Sequence, residues 1–148
     1  MKKHTKIILS LAIIYSMGLA CSQPESECIT PTELGIKPIN PNGDSELALL
    51  MRAMFAEAQT IRQDIETGKP VQTRLCYEQL LTATPTQAHQ VKSTAYQTYA
   101  RTYLQTIEHL NAADPAHQLA LYQRLVGNCM ACHQSMCPGP IAKIKKLL

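Results

Sequence analysis

Apolar positions spaced three and four residues apart recur along most of this chain, the period of a helix buried on one face. Leu47, Met51, Met54, Ala58, Ile61 and Ile65 form the first stripe, while Arg52, Glu57, Arg62, Asp64 and Glu66 fall elsewhere. The pattern predicts an amphipathic helix over about 45–67. Asn40-Pro41-Asn42-Gly43-Asp44-Ser45 ahead of it supplies turn and N-cap chemistry, and Gly68 followed by Pro70 supplies a stop. Val91, Ala95, Tyr99, Tyr103 and Ile107 recur at four-residue steps and predict a helix over about 86–111. Asp114 then caps, and Pro115 suits the first turn of a last helix reaching about Met136. Its stripe is Leu119, Tyr122, Val126, Cys129, His133 and Met136.

The remaining stretches carry weaker patterns. Residues 74–81 suit a short helix with Leu75, Tyr77, Leu80 and Leu81 available for burial, ended by Pro85. Pro138-Gly139-Pro140 closes the last long helix and leaves a basic and apolar tail with Lys143, Lys145 and Lys146. That tail reads as a solvated terminus, with propionate or acidic-partner contacts as the alternative. The elements make the chain all-α, and 148 residues fit one domain.

The ends change the picture of where the chain resides. Lys2, Lys3 and Lys6 precede a largely apolar run from Ile7 to Ala20, too short to span a bilayer comfortably, so residues 1–20 read as a secretory signal peptide. Met17-Gly18-Leu19-Ala20-Cys21 resembles a bacterial lipobox, which makes Cys21 the lipidation site. The lipobox pattern usually has Leu where this chain has Gly18. Residues 21–43 hold Pro24, Pro31, Pro38 and Pro41 without helical period and read as a lipid-anchored tether; 44–148 is the folded domain. Without the leader, eleven basic face eleven acidic side chains. The basicity therefore belongs to the leader, and nothing points to nucleic acid.

Export places the cysteines in an oxidising compartment. Cys129-Met130-Ala131-Cys132-His133 is the motif with the most specific chemistry. Two thiols three residues apart on a helix can each bond a haem vinyl group, and the adjacent imidazole then meets the iron as proximal ligand. Competing readings are a thioredoxin-type redox pair, which opens a helix after a strand, and a zinc site with Cys137 as a further ligand. Here the motif ends a helix and is followed by His, which favours one covalently bound haem c held by Cys129, Cys132 and His133. With Cys21 lipidated, Cys28, Cys76 and Cys137 remain, an odd number. A Cys76–Cys137 disulfide would pin the weakly patterned connection over the haem end; Cys28 is the rival partner.

A haem motif near the C-terminus, on the last of several helices, resembles the class II cytochromes, the cytochrome c-prime and related low-spin family. The likeness spans about Leu47 to Met136 and rests on the motif, the Met-bearing first helix ending at Gly68, and the run from Tyr99 to Asp114. It implies an antiparallel four-helix bundle, here with a short second helix, and the haem motif on the C-terminal helix. The family often has a basic residue shortly after the His, which Gln134-Ser135-Met136-Cys137 lacks. Cys137-Pro138-Gly139-Pro140-Ile141 resembles haem proteins of the Bacteroidetes, a lipoprotein branch of its own.

The sixth iron ligand decides what such a haem does. His133 lies nineteen residues beyond Asp114, roughly 28 Å along the axis. His109 and His117 flank the turn before the last helix and so sit at the wrong end; His89 reads as a solvated side chain. The start of the first helix lies beside the end of the last in an up-down-up-down order. That puts Met51 first and Met54 second as candidate distal ligands, with core packing as the competing role for both. In the class II family the distal residue also comes from this part of the first helix. The expected function is one-electron transfer in the periplasm or at a membrane surface, with redox proteins as partners and a lipid anchor in the membrane. A homodimer is compatible with it, and the sequence offers no catalytic constellation. The alternative is a haem protein that binds nitric oxide or carbon monoxide at an open distal face; a third is a structural lipoprotein with a zinc or disulfide cluster and no haem.

Overall fold

The computed structural model describes residues 28–148. The leader, Cys21 and the lipid-anchor reading lie outside the described residues. The described chain is mostly helical, without strands. Three long helices dominate it: α1 (Glu46–Glu66), α3 (Thr94–Ala112) and α4 (Pro115–Met136). Short pieces join them: a 3-10 turn over Tyr77–Leu81, the single-turn α2 (Ala88–Val91), and α5 (Ile141–Ile144) running into a final 3-10 turn.

Local chemistry sets the helix ends. Ser45 caps α1 by accepting from the Ala48 N–H at 3.2 Å. Gly68 ends it at φ 68°, where its N–H bonds Ile65 and the Lys69 N–H bonds Asp64, the paired bonds of a Schellman motif. The helix expected over 86–111 is interrupted at Ser93, whose hydroxyl accepts from the Tyr96 N–H and starts α3 afresh. Pro115 opens α4 as expected, while the Asp114 side chain makes no capping bond.

Four segments alternate in direction. The two-residue turn at Ala113 and Asp114 folds α4 back along α3, so that Tyr96 comes level with Cys132. Between α1 and α3 the chain returns as residues 71–81. Thr73 bonds Asn111 at the foot of α3, and the Tyr96 hydroxyl donates to the Leu80 carbonyl near its head. This return segment is extended with one 3-10 turn rather than the short α-helix expected over 74–81. Val71, Leu75, Tyr77 and Leu80 are buried by it, joining Leu50, Ile61, Leu110, Leu125 and Val126 in one core.

Three further differences follow from packing. Cys76 is bonded to Cys28, not to Cys137. The reason is the route of the return segment, which lays Cys76 beside the incoming chain: the Ile29 N–H bonds Arg74 O and the Cys76 N–H bonds Ile29 O. Residues from Cys28 onward are thereby fastened to the domain, so the stretch before Gly43 is not all free tether; Pro31 is buried. The C-terminal tail is docked rather than solvated, because Ile144 and Leu147 bury their side chains. Tyr122 and Arg62 donate to the Leu147 carbonyl at 2.9 and 3.2 Å, and Lys143 lies 4.7 Å from the centre of the Phe55 ring. The tail thus covers the groove between α1 and α4, as the return segment covers that between α1 and α3.

The Cys28–Cys76 bond closes a sequence separation of 48 residues. Cys28→Ser with Cys76→Ser should lower the unfolding free energy by about 2–4 kcal/mol, read as a lower urea midpoint. Non-reducing peptide mapping should recover the Cys28 and Cys76 peptides joined and Cys137 unjoined; a Cys76–Cys137 peptide would refute the arrangement.

Candidate functional site

The site begins on the last two turns of α4. Cys129 and Cys132 are free thiols, half exposed and one turn apart, and His133 follows on the same helix. The Cys137 N–H makes the last helical bond, to the His133 carbonyl at 3.1 Å, and Pro138, which has no N–H and disfavours helical dihedrals at Cys137, ends the helix. The same turn brings the Cys137 carbonyl within 2.9 Å of His133 Nδ1. A carbonyl only accepts, so Nδ1 carries the hydrogen, and the lone pair of the neutral ring falls on Nε2. A histidine prepared in this way is oriented as a metal ligand, its second nitrogen held by a backbone acceptor.

These three residues form one wall of a shallow cleft of about 40 Å³ that opens to solvent. α1 supplies Met51 and Met54, the return segment supplies Leu80, and α3 supplies Tyr96, Tyr99, Ala100 and Tyr103; Asn128 completes the α4 side. Met54 is buried in the core and Met51 is half-buried at its edge. Both methionines named from the first helix therefore share a cleft with Cys129, Cys132 and His133. His89, His109 and His117 do not line it. The sequence reading missed the tyrosine wall: Tyr99 and Tyr103 were on the α3 stripe, but only the return segment, through Leu80, decides that Tyr96 joins them.

No charged side chain lines the cleft, and the electrostatics follow. Burial pushes the Cys129 thiol up to about 12. Cys132 is raised too, first by burial and then by the nearby Cys137 sulfur. Both thiols therefore stay protonated near neutral pH, the opposite of a redox-active pair, whose reactivity needs an available thiolate. Among the described residues no three His, Cys, Asp or Glu side chains come together as a metal-ion cluster, which leaves the zinc reading without its ligand set. Two neutral thiols, an imidazole held by a backbone carbonyl and two thioethers along one cleft are the donor set that covalent haem attachment asks for: sulfurs for vinyl groups and nitrogen for iron.

No protein-family model, no curated protein and no solved structure matches the chain. Among the described residues no helix is long and apolar enough to cross a membrane.

The raised thiol of Cys129 makes a prediction for the haem-free protein. Its folded value lies above the ordinary 9.0, so its contribution to stability is complete below pH 9 and is lost as pH rises toward 12. Alkaline unfolding followed by circular dichroism should begin above about pH 9 and shift upward in Cys129→Ala. At pH 8, alkylation should label exposed Cys137 before Cys129; the reverse order would show that the cleft does not shield that thiol.

Proposed function

We propose that this chain is a mono-haem c-type cytochrome, exported and lipid-anchored through Cys21, that transfers single electrons at a membrane surface or in the periplasm. The observation that carries the reading is the cleft itself, which Cys129, Cys132 and His133 line together with Met51 and Met54 among apolar and aromatic side chains. The order of the four segments, with the motif ending the last helix, adds to the likeness to the class II four-helix bundles.

In this reading haem supplies the one-electron change at its iron, and the protein supplies attachment, orientation and dielectric. Cys129 and Cys132 hold the ring covalently, so that it stays with the exported protein. His133 binds the iron, its ring aimed by the Cys137 carbonyl. Met51 is the first choice as the opposite ligand: at the half-buried edge of the cleft its unbranched side chain is less committed to packing than that of Met54 in the core. Thioether ligation would favour electron transfer over gas binding by filling the sixth position. Partners are redox proteins approaching the open side of the cleft, and the chemistry asked of the chain is not enzymatic.

Protein exported by a host that matures c-type cytochromes should show a Soret band that survives acid–acetone extraction and disappears in Cys129→Ala/Cys132→Ala. Absence of that band in the wild type would end the haem reading. The oxidised wild type should show a methionine–iron charge-transfer band, lost in Met51→Ala with a gain of carbon monoxide binding by the reduced form. If the band persists in Met51→Ala and is lost in Met54→Ala, the ligand is Met54; a high-spin wild type that binds carbon monoxide directly would favour the gas-binding alternative.

A further inference from the structure

Glu57 is sealed on the core face of α1, 6 % exposed; the other enclosed carboxylate among the described residues, Asp44, is paired with Arg52. It sits one turn beyond Met54, on a position that periodicity assigns to the polar side. Its two oxygens are both used. Oε1 accepts the Arg74 backbone N–H at 2.7 Å, and Oε2 accepts the Tyr77 hydroxyl. Each oxygen thus meets one hydrogen-bond donor from the return segment.

What the carboxylate lacks is a cation. The ion pairs among the described residues are Arg52 with Asp44 and Arg62 with Glu66; neither reaches Glu57, and the Arg74 side chain is exposed. A buried anion with hydrogen bonds and no counter-charge keeps a long-range field, because the low-dielectric interior screens it weakly. That field points toward the cleft. The Tyr77 ring stands 5.7 Å from the ring of Tyr103, which is itself a wall of the cleft and is buried. Tyr103 is held above its ordinary range first by burial, then by Cys129 on the cleft side and by Glu57 behind it. No Asp, Glu, Lys or Arg side chain lines the cleft, and Glu57 stands behind its tyrosine wall through Tyr77.

We propose that Glu57 sets the reduction potential of the bound haem, its uncompensated negative charge favouring the oxidised iron over the reduced iron. The inference rests on the haem reading above and adds the residue that tunes it. The electron balance is simple: oxidation removes one electron and leaves one more positive charge in the cleft, which the Glu57 carboxylate stabilises. Tyr77 and the Arg74 N–H act on the potential through the carboxylate, by fixing its position and spreading its charge.

The test is redox potentiometry of the haem-loaded protein at fixed pH. Glu57→Gln keeps the shape: its amide oxygen can accept from Arg74, and its NH₂ can donate to the Tyr77 oxygen. At the wild-type midpoint its reduced-to-oxidised ratio should rise about tenfold, about 59 mV upward for a one-electron couple. Glu57→Asp keeps the charge and should stay within about threefold of wild type, about 30 mV on the same scale. Tyr77→Phe is the second arm should Glu57→Gln fail to fold; with one donor fewer on the carboxylate, its potential should move downward. A haem-loaded Glu57→Gln with unchanged potential and unchanged Soret spectrum overturns the inference and leaves the haem reading standing. An equal rise in Glu57→Asp would assign the effect to packing and also overturn it, as would an unmoved potential in Tyr77→Phe. A wild type without haem removes both readings.

Discussion

A segment that covers a groove between two helices without being a helix must find partners elsewhere for its backbone, and Glu57 is what makes this possible here. The return segment packs Val71, Leu75, Tyr77 and Leu80 against α1 and α3, yet forms only a five-residue 3-10 turn of its own. The Glu57 carboxylate takes the Arg74 N–H, and the incoming chain at Ile29 takes the Arg74 carbonyl and the Cys76 N–H. Each bond satisfies a group that a helix would have satisfied internally. The cost is a charge placed in the core, a costly arrangement unless the charge is fully hydrogen-bonded. The Tyr77 hydroxyl supplies the second bond to that carboxylate, and its ring then leans on Tyr103. In this way one side chain on α1 links the docking of the return segment to the back wall of the cleft.

The parts of this fold legible in the sequence are those whose determinants are local. α1 could be bounded to within a residue or two because its stripe, its Ser45 cap and its Gly68 stop all lie within its own neighbourhood. The start of α4 followed in the same way from Pro115. What could not be read were contacts fixed by the course of the chain. Glu57 looked like a solvent-facing charge because its partners come from seventeen and twenty residues away. The choice of Cys28 over Cys137 depends on where the return segment lies, not on any spacing. Two misses did have signals. Ser93 carries the same cap chemistry as Ser45, and Ile141, Ile144 and Leu147 recur every three residues, a narrow apolar edge in what looked like a basic tail.

The site divides along the same line. Cys129, Cys132 and His133 are adjacent in sequence, so their grouping was legible without the fold; that Met51 and Met54 share their cleft was expected from helix direction, level and the family likeness. The four tyrosines behind and beside the cleft needed the three-dimensional arrangement, and their hydroxyls explain why phenylalanine would serve less well. Tyr96 spends its hydroxyl on the Leu80 carbonyl, and Tyr77 spends its own on Glu57. Each thereby fastens the non-helical return segment with its polar tip and packs with its ring, which for Tyr96 lines the cleft. The apolar lining and the docking of the return segment therefore share residues such as Tyr96 and Leu80. A change made to loosen the segment would also open the cleft to water, and with it the environment that keeps the Cys129 thiol neutral and the Glu57 charge weakly screened.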